Sequence, residues 1–293
     1  MLIGAHVGVS NGYPEALDYA VSVGCECVQI FAKSPRQWRA APIHAEVAAR
    51  FRERREELGI GWIVTHSAYL INLGSEDTAL WERSWIALAD ELLRAETLGA
   101  DAVVTHIGTN RSRDLEIGAV RVADGVRHAL AAADAQVTLL LENTAGAGAT
   151  FGNGPTEIGA VLTLLDQDWH DRLAVCLDTC HAHAAGWDLS QTAGLDAFVS
   201  GMETCCGAGR IQAIHANDCL GESGSLRDRH AWIGEGTIGV EGFARLFEHP
   251  GLRGAPAIVE MPGEAPFKDE ENVRRLKKLR AASSEPAFDA ESL

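Results

Sequence analysis

The sequence predicts an α/β fold, a single-domain (β/α)8 TIM barrel that occupies residues 1–282. Short apolar runs alternate with longer segments of helical periodicity along the whole chain, and no linker rich in proline, glycine or serine divides it. The length of 293 residues is also common among α/β barrels. Eight strand–helix units in one chain favour a closed barrel over an open, doubly wound sheet.

The eight predicted strands are short and almost continuously apolar. Strands that are covered on both faces have this pattern, whereas half-exposed strands alternate apolar and polar residues. We therefore expect parallel strands enclosed by helices. The strands are Leu2–Val7, Cys27–Ala32, Trp62–His66, Ala102–His106, Val137–Glu142, Leu173–Asp178, Ile211–His215 and Ala257–Glu260.

Helical periodicity is clearest between the third and fourth strands. Trp81, Trp85, Leu88 and Leu92 recur at intervals of four and three residues, and Gly99 follows where a helix would end. This spacing predicts a long amphipathic helix on the outside of the barrel.

A basic run over residues 274–280 invites comparison with a nucleic-acid-binding patch. Leu276 and Leu279 within it have helical spacing, and cations are favourable near the end of a helix. We interpret the run as the last barrel helix. The acidic, polar segment 283–293 that follows is expected to be a flexible tail.

Composition indicates a cytoplasmic protein that does not associate with membranes. Apolar residues make up 46% of the chain, which is enough for a large core without disulfides, and the seven cysteines lack a paired zinc-ribbon spacing. The longest apolar runs are far shorter than the roughly 20 residues needed to cross a bilayer. The N-terminus lacks the features of a signal peptide. We expect a monomer.

The net charge of −16 argues against non-specific affinity for a polyanion. Divalent ions held by carboxylates would offset part of this charge where a phosphate binds. The remainder requires lysine and arginine residues placed close to the site.

Six of the predicted strands end in a residue type that binds metals. The carboxyl ends of barrel strands meet on one face, so these side chains should converge although they are far apart in sequence. Packing gives no reason to crowd three carboxylates with three imidazoles, whereas metal ions do. The six residues are His66, His106, Glu142, Asp178, His215 and Glu260.

Three further candidates, His181, Asp228 and His230, lie close to these strand ends in sequence. Nine ligands exceed the needs of one ion, and sites of three or four ligands with an open position would be filled by two or three ions. A mixture of imidazole and carboxylate favours zinc.

These segments resemble the endonuclease IV family, and the resemblance extends from Ile3 to Leu279. The ordered set of motifs is far more specific than any one of them. The matching segments are Gly4–Val7, Arg36–Ala40, His66–Leu73, Leu141–Gly146, Leu177–His181, His215–Asp218 and Asp228–His230.

The resemblance implies three zinc ions per chain, with manganese at one position left open. Glu142 would bridge a first zinc, held by His66 and His106, and a second, held by Asp178, His215 and Glu260. The third zinc would be held by His181, Asp228 and His230. Glu142, Asp178 and Glu260 are the expected catalytic carboxylates. The sequence departs from the family after Glu260, where Met261–Gly263 replaces a threonine-containing stretch. The ligand itself is kept, and we expect the loop beside it to differ in shape.

The resemblance also implies an activity, namely hydrolysis of the DNA backbone 5′ to abasic sites. The products would be a 3′-hydroxyl and a 5′-deoxyribose phosphate, and blocked 3′ ends would also be trimmed. The partner would be double-stranded DNA that carries either lesion.

Candidate DNA contacts lie in loops on the face that carries the ligands. Arginines and a lysine would supply local positive charge, Tyr69 and Leu70 would act as wedges in the minor groove, and Arg36 and Gln37 would fill the gap left by an extruded nucleotide. The alternative for Tyr69 and Leu70 is packing against the barrel rim. The candidates are Lys33, Arg36, Gln37, Arg39, Tyr69, Leu70, Arg227 and Arg229.

Two other interpretations remain open at this point. A sugar isomerase or epimerase of the xylose-isomerase-like type would account for Glu142, Asp178, His215 and Glu260, but not for the other five ligands. A damage-binding or zinc-storing protein would hold the metals without cutting. His6 is expected to support a ligand, and His183 is expected not to bind a metal.

Overall fold

Eight parallel strands close into a barrel in the computed structural model, which describes residues 1–284 except the side chains of residues 166–168 and 284. The hydrogen-bonded order is β1-β10-β7-β6-β5-β4-β3-β2, and this confirms the predicted TIM barrel. The barrel strands are β1 (Ile3–His6), β2 (Cys27–Phe31), β3 (Trp62–His66), β4 (Ala102–His106), β5 (Thr138–Glu142), β6 (Leu173–Asp178), β7 (Ile211–His215) and β10 (Ala257–Val259).

Two short strands outside the barrel were not predicted. They are β8 (Asp218–Cys219) and β9 (His230–Ala231), which pair antiparallel in a loop beyond β7. Strands of two residues are too short to show a periodic pattern, so the sequence gives no sign of them.

Helices surround the barrel and connect successive strands. They are α1 (Tyr13–Ser22), α2 (Ala45–Leu58), α3 (Thr78–Leu98), α4 (Leu115–Ala133), α5 (Pro155–Trp169), α6 (Thr179–Ala184), α7 (Thr192–Cys206), α8 (Gly239–Glu248) and α9 (Phe267–Ser284). The side chains of Asp77 and Asp114 cap the first turns of α3 and α4. Gly99 ends α3 with a φ of 71°, a left-handed conformation that favours glycine.

The basic run lies in α9, as expected. Four of its cations are paired within the protein, because Arg274 and Arg275 bind Glu271 while Lys277 and Arg280 bind Glu26. The helix continues to Ser284, so the first two residues of the predicted tail are helical, and residues 285–293 lie outside the described residues.

The apolar core has two compartments, one between strands and helices and one inside the barrel. The inner compartment is built from alternate residues of the strands, since side chains along a strand point to opposite faces. Its members are Cys27, Val64, Ala102, Val104, Leu140, Ala174, Cys176, Ala213 and Ile258. At Gly4, a Cβ would lie 1.7 Å from the Cys27 carbonyl oxygen, so only glycine allows β1 and β2 to approach here.

Among the described residues, no helix is both long and apolar enough to cross a membrane.

Replacing Leu140 with alanine should destabilise the protein by about 2–5 kcal/mol, because its fully buried side chain fills the barrel interior. The matched control is Leu164→Ala on α5, where 43% of the side chain is exposed and a change within about 0.5 kcal/mol is expected. Denaturant unfolding measures both. Equal losses would show that the barrel interior is not the tightly packed compartment described.

Candidate metal centre

A layer of polar side chains closes the barrel at the carboxyl ends of its strands. Each member lies two residues beyond an inward-facing position, so it also points into the barrel. The apolar interior therefore ends in a ring to which every barrel strand contributes one residue. The ring consists of His6, Gln29, His66, His106, Glu142, Asp178, His215 and Glu260.

The ring and the loops around it contain four overlapping groups of side chains, and within each group the ligand atoms lie within 4.8 Å of one another. All nine residues predicted to bind metals belong to these groups. The first group is His66, His106 and Glu142, and the second is Glu142, Asp178, His215 and Glu260. The other two groups share His230, and we call them together the third group; they are Asp178, His181 and His230, and Cys180, Asp228 and His230.

The third group depends on α6 and on the β8–β9 hairpin. Asp178 caps the short helix α6 by accepting a 2.7 Å hydrogen bond from the backbone N–H of His181, which fixes that ligand against the ring. The hairpin presents Asp228 and His230 from the opposite side. Oδ2 of Asp228 lies 3.2 Å from Nε2 of His181, and its Oδ1 lies 3.2 Å from Nε2 of His230.

Asp218 holds the hairpin in place and was missed as a functional residue. This carboxylate is fully buried and accepts hydrogen bonds from the backbone N–H groups of Gly234, Gly236 and Ile238. It therefore folds the segment after β9 around the base of the hairpin, and so positions His230.

Backbone carbonyl groups orient three of the imidazoles. Nδ1 of His66, His181 and His230 lies 2.8–2.9 Å from the carbonyl oxygens of Ser67, Asn143 and Glu260, respectively. A carbonyl only accepts hydrogen bonds, so Nδ1 carries a proton and Nε2 faces the cluster. Loss of the proton on Nε2 would leave the tautomer that a metal requires.

His215 has the opposite arrangement. Its Nε2 donates to the side-chain oxygen of Gln29 at 2.8 Å, which leaves Nδ1 directed at Glu142, 3.0 Å away. The amide nitrogen of Gln29 donates to Glu260 at 2.7 Å. Gln29 thus aligns two ligands at once. In the sequence, the signal for this role is a glutamine within an otherwise apolar strand. The structure shows that this glutamine is fully buried, and a buried polar side chain needs hydrogen-bond partners.

Asparagine side chains fix the carboxylates of Asp178 and Glu260. Asn217 donates to Asp178 at 2.7 Å and accepts from the backbone N–H of Glu260. Asn143 accepts from the backbone N–H of Asp178 and donates to its carbonyl oxygen. Both asparagines are buried, and their hydrogen bonds hold the ligands in defined orientations.

The ionisable groups perturb one another strongly. Burial would raise the pKa of Glu142, but the surrounding imidazoles hold it well below its ordinary value. Burial would lower the pKa of His230, but the hydrogen bond to Asp228 and the charges of Asp178 and Glu260 raise it to about 9. The pKa of His106 is lowered by burial to about 4. The donor set therefore fits divalent cations, which would replace protons as the counter-charge.

Two other histidines lie near the ligand groups. Nδ1 of His6 lies 3.3 Å from Glu260, so it supports a ligand and stands outside the three groups. His183 is buried, and its Nε2 pairs with the hydroxyl group of Thr237. The loop after Glu260, where Met261–Gly263 departs from the expected motif, contacts the segment that follows β9. The indole of Trp232 donates to the carbonyl oxygen of Pro262.

A cleft of about 560 Å³ opens beside the ligands. His106, His181 and Asp228 line one part of it, and Tyr69 and Leu70 line another. Tyr69 is 62% exposed, so it projects from the rim and does not pack against it with its whole ring. A substrate in the cleft would touch both the ligand cluster and this loop.

The other predicted DNA contacts divide into exposed and buried residues. Exposed side chains are those of Arg36, Gln37, Arg39, Arg227 and Arg229. Arg111 and Arg113 are also exposed, in the loop that follows β4.

Lys33 was wrongly predicted to present its charge to DNA. Its side chain is 1% exposed, and its ammonium group pairs with Asp90 at 2.7 Å and Glu91 at 3.4 Å. Both partners lie on α3, and Asp90 is 57 residues away in sequence. The strand-end pattern could not reveal them.

The chain is similar over almost its whole length to known proteins. The sequence pattern of xylose isomerase-like TIM barrels matches residues 17–280. A probable endonuclease 4 of Chloroflexus aggregans is 40% identical, over 94% of this chain and 96% of that relative. The crystal structure of endonuclease IV from Thermus thermophilus superposes with a TM-score of 0.85 at 36% identity, covering 96% of this chain and 100% of that one.

The fold of this chain is also similar to that of a sugar-epimerase-like protein. The crystal structure of a D-tagatose 3-epimerase-like protein gives a TM-score of 0.70 at 17% identity and covers 97% of each chain. At this identity the similarity concerns the fold alone.

Zinc uptake by metal-free protein should release protons at pH 7. The pKa values of His181 and His215 are raised well above the ordinary value and that of His230 is about 9, so these groups hold protons that a metal must displace. Titration calorimetry in two buffers of different ionisation enthalpy measures the release, which should decrease as the pH approaches 9. Identical heats in both buffers at pH 7 would contradict these pKa shifts.

Proposed function

The chain belongs to the endonuclease IV family, and we propose that it is a DNA-repair hydrolase that cuts the backbone 5′ to abasic sites. The products would be a 3′-hydroxyl and a 5′-deoxyribose phosphate, and blocked 3′ ends would be a second substrate. The observation that carries this proposal is the convergence of nine predicted ligands into three adjoining groups. All seven cysteines are free, as suits the cytoplasm, where we expect the protein to act as a monomer.

The donor set suits three divalent ions, with zinc as the expected metal and manganese open at one position. His66 and His106 would hold the first ion, and Asp178, His215 and Glu260 the second. His181, Asp228 and His230 would hold the third. When bound, such ions supply a water of lowered pKa as the nucleophile and positive charge for the phosphate oxygens.

Glu142 is placed to join the first two groups. Its Oε2 lies 3.2 Å from Nε2 of His66 and 3.5 Å from Nε2 of His106. Its Oε1 lies 3.0 Å from Nδ1 of His215. The two oxygens of the carboxylate thus approach ligands of different groups, so Glu142 would be able to contribute to both the first and the second ion.

Asp178 and Glu260 complete the expected catalytic carboxylates. Asp178 is fully buried and belongs to both the second and the third group. Oε1 of Glu260 accepts a hydrogen bond from Gln29 and lies near His6, while its Oε2 accepts from Asn217 and lies 3.4 Å from Nδ1 of His215. These contacts hold the carboxylates where a phosphodiester would approach, without rearrangement during the reaction.

DNA would bind on the face where the exposed arginines lie. The exposed side chains of Arg36, Arg39, Arg227 and Arg229 would supply local positive charge despite the net charge of −16. Tyr69 and Leu70 line the cleft and would enter the duplex beside the ligands. Arg36 and Gln37 would occupy the gap left by an extruded abasic nucleotide.

The sugar-epimerase alternative is less well supported. Such a site would use the second group alone, namely Glu142, Asp178, His215 and Glu260. It leaves the first and third groups without a role, although they are just as closely assembled.

Incubation with a duplex that carries one abasic analogue tests the proposal directly. We expect a single cut whose products end in a 3′-hydroxyl and a 5′-deoxyribose phosphate, together with loss of cleavage after prolonged chelation. Elemental analysis should give close to three ions per chain. Intact duplex in the presence of three bound ions would favour the metal-storing alternative, and one ion per chain the epimerase.

Glu142→Gln should lower cleavage by at least about 10³-fold, on the order of 4 kcal/mol of transition-state stabilisation. The amide keeps the shape of the side chain but removes the charge shared by the two groups. Circular dichroism should show an intact barrel. Full cleavage by the folded variant would remove Glu142 from the metal bridge.

The double variant Tyr69→Ala/Leu70→Ala should bind abasic duplex more weakly while its metal content stays unchanged. A wedge offsets the unstacking of a few kcal/mol that extrusion requires, and neither side chain is one of the proposed ligands. Binding titrations and elemental analysis measure the two properties. If the variant binds and cuts like the parent, these residues only pack at the rim.

A further inference from the structure

The loop after β2 is fastened to helix α3 by a buried ion network. Lys33 lies at the start of this loop, and its ammonium group pairs with Asp90 and Glu91. The same ammonium donates to the carbonyl oxygen of Trp38 at 3.4 Å. The loop that carries Arg36 and Gln37 is therefore held at both ends of the turn by one cation.

A second cation, Arg94 on α3, holds the far end of this loop. The guanidinium of Arg94 donates to the carbonyl oxygens of Ala40 and Ala41 at 2.8 and 2.9 Å, and to Asp90 at 2.9 Å. Outside the network, the guanidinium of Arg83 stacks over the ring of Trp38 at 4.5 Å. One helix thus contacts the loop along most of its length.

Glu91 connects the network to the neighbouring loop, which carries Tyr69 and Leu70. Its Oε1 accepts a 3.1 Å hydrogen bond from the backbone N–H of Ala68. The next residue, Tyr69, donates its backbone N–H to the carbonyl oxygen of Pro35 in the first loop. The two loops that would probe the DNA are therefore joined to each other and to the same carboxylate.

The network is balanced in charge and closed to solvent at its centre. Lys33 and Arg94 face Asp90 and Glu91, and the side chains of Lys33 and Glu91 are each 1% exposed. Burial raises the pKa of Glu91, and the facing ammonium group opposes that rise. Removing one member would leave an uncompensated buried charge, so the loops have little freedom to rearrange.

We propose that Lys33 and Glu91 are positioning residues for recognition of damaged DNA, which set the spacing between the loop of Arg36 and Gln37 and the loop of Tyr69 and Leu70. The inference rests on the proposed function. Neither residue belongs to the three ligand groups, so their contribution concerns substrate binding and leaves the metals in place. A preformed pair of loops would avoid the cost of ordering them when DNA binds.

Glu91→Leu tests the proposal. The substitution removes the acceptor of the Ala68 N–H and half of the charge that faces Lys33. We expect KM for abasic duplex to rise about tenfold or more while kcat stays within about threefold. Bound metal should be unchanged. Glu91→Gln keeps an acceptor for Ala68, so its KM should lie between those of the parent and Glu91→Leu.

The double variant Lys33→Met/Glu91→Leu separates positioning from stability. Replacing a buried ion pair by apolar side chains of similar size is often neutral for folding, so the melting temperature of the double variant should be close to that of the parent. The loops would still lack their common attachment, and KM should stay high. Asp101→Asn is the matched control. It removes an ion pair with Arg55 at the opposite end of the barrel and should leave KM unchanged.

Three outcomes would overturn the inference while the parent cuts abasic duplex. They are a parent-like KM in Glu91→Leu, recovery of KM together with melting temperature in the double variant, and an equal rise of KM in Asp101→Asn. Absence of cleavage by the metal-loaded parent would instead overturn the proposed function.

Discussion

The structure depends on the charge balance at one end of the barrel. Four carboxylates and five imidazoles are packed together there, and most of them are buried. Ionised groups that have lost their hydration must be neutralised by nearby opposite charge. The barrel strands end at this cluster, helix α6 begins there, and the β8–β9 hairpin contributes ligands to it. Their arrangement is best understood as the frame that brings its members together.

A second layer of hydrogen bonds determines how each ligand is turned. Gln29, Asn143 and Asn217 form hydrogen bonds with the ligand residues. Asp218 accepts hydrogen bonds from backbone N–H groups of the segment that follows the hairpin. These residues make the cluster rigid before any substrate arrives. The same principle extends outward to α3, whose charged side chains hold the loops at the entrance of the cleft.

Much of the fold and of the ligand cluster could be predicted because both follow from local patterns. Buried parallel strands are apolar runs, and a polar residue at the end of each run points to the common face, as His66 and Asp178 show. Residues whose roles depend on distant partners could not be predicted in this way. Lys33 was misjudged because its partners lie on α3, and Gln29 was missed because its contacts span the barrel.

The orientation of the imidazoles also bears on how the sequence can change over evolution. Three of them are turned by main-chain carbonyl groups, which no substitution removes, so neighbouring side chains can vary without disturbing them. His215 is different, because the side chain of Gln29 is the acceptor for its Nε2. Tolerance to mutation is therefore unevenly distributed around the ring. Loss of this amide on β2 would misalign His215 while leaving the three imidazoles that main-chain carbonyl groups orient in place.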